Sequence, residues 1–422
     1  MRVSTKKLKN GLEVILAPMK DSMAVTVLIL VKAGSKYENG SNNGISHFLE
    51  HMCFKGTSKR PSPKLISEEL DSIGCQYNAF TSQEFTGYYA KASKKHLDTI
   101  FDVVSDMYLN PIFDKDEIEK EKGVIIEEIN MYEDMPHRQV QDIFSKALYG
   151  KSPAGFTILG PKENILKTKR EDFVDYTKKH YVASATKVII AGNFDQKKII
   201  KKVQDIFSKI PTSNKSGKEK IVEDKTGPSI LIKNKKTDQT HMVLGVRTFS
   251  VSDKRNCALK VLDAVLGGGL SSRLSHRLRD QMGVGYYIRT SIEEFSDHGN
   301  FNVSIGADNK RVLEVIKAII EEFKKIKEEK ILDAEIQKAK EYLIGNTLLS
   351  LESSDNMAEY FGMQKVLDQK IETPESFALN IRKVKSSDIL KLANDIFKTE
   401  NLALALIGSD LDKKQISKIL KF

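Results

Sequence analysis

The feature that most restricts how these 422 residues can fold is that the second half repeats the first. Phe85-Thr86-Gly87-Tyr88-Tyr89-Ala90-Lys91-Ala92, followed by Lys94-Lys95-His96-Leu97, aligns with Phe301-Asn302-Val303-Ser304-Ile305-Gly306-Ala307-Asp308, followed by Lys310-Arg311-Val312-Leu313, at an offset of 216 residues. A chain of this length exceeds one ordinary core and suits two domains of about 200 residues each. Residues 212–228 (TSNKSGKEKIVEDKTGP) are polar, rich in Lys and Gly, and without periodicity. The expected division is therefore 1–211, a linker at 212–228, and 229–422.

Local patterns fill in the first half. The Asn10-Gly11 turn sits between strand-like segments, and Ala24 to Val31 is a β-branched run suited to a central strand. Tyr77 to Thr81 and Phe85 to Ala90 read as paired strands. Helices are expected over Ser67–Ile73, over 94–109, and from a cap at Asp114 to just before Pro136.

Composition excludes several classes of function. The net charge of +10 invites a nucleic-acid reading, but the lysines are interleaved with glutamates, as in Glu321-Glu322-Phe323-Lys324-Lys325-Ile326-Lys327-Glu328-Glu329-Lys330. That pattern makes solvated helix faces, so no nucleic-acid partner is expected. Three cysteines, Cys53, Cys75 and Cys257, without CxxC spacing, argue against a disulfide framework and against a cysteine-based zinc site. They are expected to be reduced and buried. The apolar run from Met23 to Val31 is far short of the roughly 20 residues of a membrane helix, and Met1 to Lys7 lacks the apolar core of a signal peptide. No membrane partner and a cytoplasmic location follow as expectations.

The chemistry is concentrated in Gly44-Ile45-Ser46-His47-Phe48-Leu49-Glu50-His51-Met52-Cys53-Phe54. Its apolar residues fall at 45, 48, 49, 52 and 53, the spacing of a helix buried along one face. Gly56 and the Pro61/Pro63 pair are expected to end it. His47, Glu50 and His51 share a second face, where two imidazoles four residues apart can meet one metal ion. In the helix after Asp114, Glu121 and Glu128 fall on the side that Ile118, Ile125 and Ile129 bury, and a cation is the usual remedy for buried anions. Glu127 lies about 100° further round and is expected in solvent. His96, His137, His180, His241, His276 and His298 have no helical partner at ligand spacing.

Together the run Val31-Lys32-Ala33-Gly34-Ser35-Lys36-Tyr37-Glu38, then Gly44, HFLEH, and Phe54-Lys55-Gly56-Thr57 closely resembles the pitrilysin family of inverted zinc metallopeptidases, in particular its short, processing-peptidase-like bacterial members. The resemblance covers nearly the whole chain. It implies an α+β fold of two homologous halves, each a mainly antiparallel β-sheet with helices packed on one face. It also implies that His47, His51 and Glu128 bind one Zn²⁺ per chain, that Glu50 is the general base, and that Glu121 supports the site. The 76 residues between His51 and Glu128 match the longer members. Asn78 and Ala79 match the family's substrate strand, NAxTxxE. Under the 216-residue offset His47 becomes Asp263, His51 becomes Gly267 and Glu128 becomes Ile344, so the second half lacks the ligands.

What the second half does carry resembles two other family features. Gly267-Gly268-Gly269 matches a glycine-rich loop near the substrate, and Arg279 with Tyr286 matches a pair that contacts the scissile region. The implied function is an endopeptidase acting on unfolded peptides inside a chamber formed by a homodimer. The alternative is a catalytically silent scaffold, or one subunit of a heterodimeric processing peptidase.

Overall fold

The computed structural model describes residues 3–212, 217–221, 227–285 and 287–422. In it the repeat becomes two sheets of matching order. The first contains β1 (Ser4–Lys7), β2 (Glu13–Pro18), β3 (Ala24–Val31), β4 (Gln76–Thr81), β5 (Thr86–Ser93) and β6 (Thr186–Gly192), in the order β1-β2-β6-β3-β5-β4. The second contains β7 (Ser229–Asn234), β8 (Gln239–Thr248), β9 (Ile288–Glu294), β10 (Gly299–Asp308) and β11 (Leu402–Gly408), in the order β7-β11-β8-β10-β9. Without β1 the two orders coincide strand for strand. Each sheet holds one parallel pair, β2–β6 and β7–β11, and is otherwise antiparallel.

Strand β3 shows why its sequence is a continuous apolar run. Val25, Val27, Ile29 and Val31 face one core, shared with Phe48 and Leu49 of the HFLEH segment, Phe101, Ile125 and Phe173. Leu28 and Leu30 face a second core with Met357, Ala358 and Phe361 of the helix Ser354–Val366. A strand buried on both faces has no polar alternation to display. The second sheet is likewise covered twice: Leu244, Phe301 and Leu404 face its main helical layer, while Val243, Ala403, Ala405 and Ile407 pack against Val140 and Phe144 of the helix Pro136–Tyr149.

Those two helices change the expected division. One compact unit is Met1–Asn130, Phe156–Glu219 and Leu349–Thr373; the other is Met131–Gly155, Lys220–Leu348 and Pro374–Phe422. The continuous borders at 211 and 229 therefore do not describe the compact units, because each sheet takes the helix on its second face from the other half of the sequence. Of the expected linker, residues 213–216 and 222–226 lie outside the described residues. All three cysteines are free thiols as expected, but only Cys53 is buried; Cys75 and Cys257 are partly exposed. Among the described residues no helix is long and apolar enough to cross a membrane.

Candidate metal centre

The HFLEH segment forms the helix Ile45–Met52, which buries Ile45, Phe48, Leu49 and Met52 against the first sheet. Its start is unusual, because Gly44 at the N-cap has no side chain to close the free amides. Glu38 does so from six residues upstream: its carboxylate accepts from Gly44 N and Ser46 N, each at 2.8 Å, and from Asn43 Nδ2 at 2.8 Å. Burial raises the Glu38 pKa, and these bonds work against that rise. An anion at the positive end of a helix is well placed, so the last residue of the VKAGSKYE run has a physical reason to be acidic. Gly44 itself has φ 103, and a Cβ there would lie 2.6 Å from the Leu159 carbonyl oxygen. Only glycine meets both demands.

The second contributing helix, Lys115–Glu133, is capped by Asp114, whose Oδ1 accepts from Asp116 N and Glu117 N. Glu121 is 4% exposed, Glu128 is partly buried, and Glu127 is in solvent.

One atom each from His47, His51 and Glu128 lies within 4.8 Å of the other two, and this is the sole such group of three possible metal ligands among the described residues. Nε2 of His47 is 3.6 Å, and Nε2 of His51 3.7 Å, from the same Glu128 oxygen. Those separations are too long for hydrogen bonds. They are close to the edge of a tetrahedron around an ion bound at about 2.0–2.2 Å, which is about 3.3–3.6 Å. The donor set, two imidazoles and one carboxylate, is one that zinc takes in catalytic sites, with a fourth position left over. The residues present fit the ion.

Protonation is consistent with that role. Burial, reinforced by the neighbouring His51, lowers the His47 pKa to about 3, so its ring is neutral and a nitrogen lone pair is available at neutral pH. His51 is subject to the same burial, but its bond to Glu121 and the Glu50, Glu121 and Glu128 charges raise its pKa overall. Its Nδ1 donates to Glu121 Oε1 at 2.8 Å, which leaves Nε2 to face Glu128. The other Glu121 oxygen is 2.6 Å from Lys55 Nζ. Burial would raise the Glu121 pKa, yet the His51 and Lys55 contacts hold it below the usual carboxylate value. For Glu128, burial prevails and raises it.

Glu50 lies on the same helix, and Thr81 Oγ1 donates to its Oε2 at 2.5 Å. Burial raises the Glu50 pKa, partly opposed by the Thr81 bond. Thr81 ends β4, the edge strand of the first sheet, which among the described residues pairs only with β5. Asn78 and Ala79 also lie on β4, with Asn78 exposed and its Oδ1 accepting from Ala79 N.

Of the residues singled out from sequence, His47, Glu50, His51, Glu121 and Glu128 thus come together in the first unit. Gly267-Gly268-Gly269, at the end of the helix Asn256–Gly267, and the exposed Arg279, on the wide turn Ser275–Gln281, belong to the second unit. Tyr286 lies outside the described residues. Three contributors escaped the sequence reading: Glu38, Lys55 and Thr81. The first two stand inside the runs that carried the resemblance, and Thr81 inside NAxTxxE, but no periodicity marks what their side chains touch.

A group of three candidate metal ligands beside a further carboxylate, on a repeated α+β scaffold, fits the zinc-peptidase class. Comparisons make the assignment specific. Residues 14–162 match the family model described as insulinase (peptidase family M16), and 167–343 match the one described as peptidase M16 inactive domain. The chain is 35% identical over 400 residues to the uncharacterized zinc protease YmxG of Bacillus subtilis, covering 95% of this chain and 97% of the relative. It is 31% identical over 433 residues to mitochondrial-processing peptidase subunit beta of Saccharomyces cerevisiae, covering 98% and 93%. Its fold matches the crystal structure of a protease from Helicobacter pylori with a TM-score of 0.89, at 24% identity and covering 96% and 99%. The chain belongs to peptidase family M16, the insulinase or pitrilysin family.

Proposed function

We propose that this chain is a zinc-dependent endopeptidase that hydrolyses unfolded peptides. The observation that carries this reading is the convergence of His47, His51 and Glu128, with ligand atoms within 4.8 Å of one another, beside a Glu50 carboxylate held by Thr81. His47, His51 and Glu128 would hold one Zn²⁺ per chain. When bound, zinc supplies Lewis-acid polarisation of the peptide carbonyl and of the attacking water. Glu50 takes the proton from that water and returns it to the leaving amine. Its bond to Thr81 occupies one carboxylate oxygen and leaves the other for that transfer. The peptide adds as a strand to the open edge of β4 along Asn78 and Ala79, so backbone pairing supplies affinity with little dependence on side chains.

In this reading the working unit is a cytoplasmic homodimer that encloses the peptide in a chamber. Gly267-Gly268-Gly269 borders the substrate, and Arg279 and Tyr286 of one chain act at the zinc site of the other. Mixing an inactive His51→Ala chain with an inactive Tyr286→Phe chain tests the sharing. Activity should return once subunit exchange is confirmed, and its absence would reject the shared site. The competing reading, a silent scaffold or one subunit of a heterodimer, draws on the inactive-domain match of residues 167–343. It is disfavoured because every ligand, the base and Glu121 are present in the first unit. The direct test incubates the purified chain with an unbiased library of unfolded peptides. Cleavage should be abolished by a chelator and restored by zinc; cleavage indifferent to the chelator would reject a metal mechanism.

A further inference from the structure

We infer that Lys55 is a positioning residue for the metal centre, acting on His51 through Glu121. The inference rests on the zinc reading above and extends it to a side chain outside the ligand set and the base. Glu121 is buried, and both of its oxygens are in use: Oε1 accepts from His51 Nδ1 at 2.8 Å, and Oε2 faces Lys55 Nζ at 2.6 Å. A carboxylate held at one oxygen can still turn about its terminal torsion, which is a soft one. Held at both, it offers His51 a single acceptor in a single place, and so sets the ring's tautomer and tilt. The Lys55 contact thereby reaches Nε2, the atom 3.7 Å from Glu128.

The local backbone brings Lys55 within reach. Beyond Met52 the chain continues as a helical turn, with Phe54 N donating to His51 O and Lys55 N to Met52 O. Residue 55 thus stands one turn past residue 51 on the same side, the i,i+4 relation. A cation is also favoured where the helix carbonyls end.

Two further observations give Lys55 its importance. His47 has no comparable support, because its Nδ1 is buried without a hydrogen-bond partner among the described residues. The orientation of the imidazole pair therefore depends on His51. Moreover, Glu121 and Glu128 stand seven residues apart on one helix face. With Lys55 absent, Glu121 would have an unengaged oxygen inside a site that already has a carboxylate ligand. Four protein ligands make a closed, structural zinc site, whereas three leave the position a reaction needs. Lys55 holds Glu121 to the task of bonding His51.

The test is zinc affinity, measured without substrate by competition against a chelator, for the parent chain and for Lys55→Met, Lys55→Gln, Lys55→Arg and Glu121→Gln. Lys55 is partly exposed, and Met keeps the stem volume, so the fold should survive; circular dichroism of each variant checks it. Removing a group that supports a ligand from outside typically costs 10–100-fold in metal affinity, and loss of Lys55 is expected near the lower end, about tenfold. Lys55→Arg should stay within about threefold of the parent. Adding Lys55→Met to Glu121→Gln should cost less than about twofold more, because the path through Glu121 is already broken. Three results would each overturn the inference: Lys55→Met and Lys55→Gln within twofold of the parent, Lys55→Arg as weak as Lys55→Met, or the full loss repeated on the Glu121→Gln background. Tight parental zinc binding that ignores Lys55 rejects this inference alone. A parent chain that takes up no zinc rejects it together with the metal reading.

Discussion

The two halves of the chain use one scaffold for different ends. Strand order, the parallel pair in each sheet, and the helices that follow β5 and β10 correspond, yet every candidate site position of the first unit is filled otherwise in the second. Glu50 becomes Leu266, fully buried in the second core, and Glu128 becomes Ile344, 4% exposed in the same core. His51 becomes Gly267, where a Cβ would lie 2.0 Å from Thr290 Oγ1, so the helix approaches β9 too closely for any side chain. His47 becomes Asp263, whose Oδ1 is buried with no hydrogen-bond partner among the described residues and whose pKa burial raises. The difference teaches that the repeat preserves where helices and strands go, while the candidate metal ligands have as counterparts a buried acid, a residue with no room for a side chain and a core apolar residue.

The largest expected effect lies in the first unit. Glu50→Gln should lower peptide turnover by about 10²–10⁴-fold while zinc stays bound, whereas Glu128→Gln should lose metal. Elemental analysis beside a cleavage assay separates the two roles, and a zinc-free Glu50→Gln protein would contradict them. The reverse experiment grafts the site onto the second unit as Asp263→His, Gly267→His and Ile344→Glu together. No second zinc should bind, and stability should fall by several kcal/mol, because a carboxylate enters an apolar core and a ring enters a space that excludes a Cβ. A stable variant holding two zinc ions per chain would show the scaffolds to be more alike than their packing indicates.

Acid should separate the units next. His180 is buried with its Nδ1 unpartnered among the described residues, and burial lowers its pKa to about 4; the matching residue of the second unit is Ile396. The unfolded chain takes up this proton near pH 6.5 and the folded chain only near pH 4. The stability that follows is present in full above about pH 6.5 and is lost as pH falls toward 4, at most on the order of 3 kcal/mol. Denaturant midpoints at pH 7 and pH 5 should move apart less in His180→Leu than in the parent; an unchanged gap would assign the acid sensitivity elsewhere. The smallest effect is Gly267→Ala, expected to cost about 1–3 kcal/mol from overpacking against Thr290. A thermal midpoint equal to the parent's would mean that the helix can withdraw from β9.

Much of this was legible in the sequence because helix and strand periods report burial directly. The apolar spacing of 45, 48, 49, 52 and 53 needed only 3.6 residues per turn to put His47 and His51 on one face, and the same period put Glu121 and Glu128 on theirs. Glu128 as a ligand was what the family resemblance implied. Boundaries were less legible. The helix expected over Ser67–Ile73 runs over Pro63–Asp71, because Ser62 caps it and Pro63 fits its first turn, where a missing N–H costs nothing. The helix expected over 94–109 opens with a tight turn at Lys94–His96 and is regular from Leu97. Glu38, Lys55 and Thr81 carried no periodic signal, because each acts through one long-range contact and not through a face.

By itself the sequence determined the repeat, several strands and helices of the first half, the helix that presents His47, Glu50 and His51, and the helix that presents Glu128. Those are consequences of local propensity and of the period with which apolar residues recur. Only the tertiary structure decided which sheet each of two helices covers. Pro136–Tyr149 has an apolar face that calls for burial without saying against what, Ser354–Val366 spreads its apolar residues round the helix, and each joins the unit built mainly from the other half. Tertiary structure also decided that Glu121 spends its two oxygens on His51 and Lys55 while a Glu128 oxygen faces both imidazoles. A helical period places two carboxylates on one face; which of them meets a cationic side chain depends on the distance and angle between two helices, and no one-dimensional pattern encodes that.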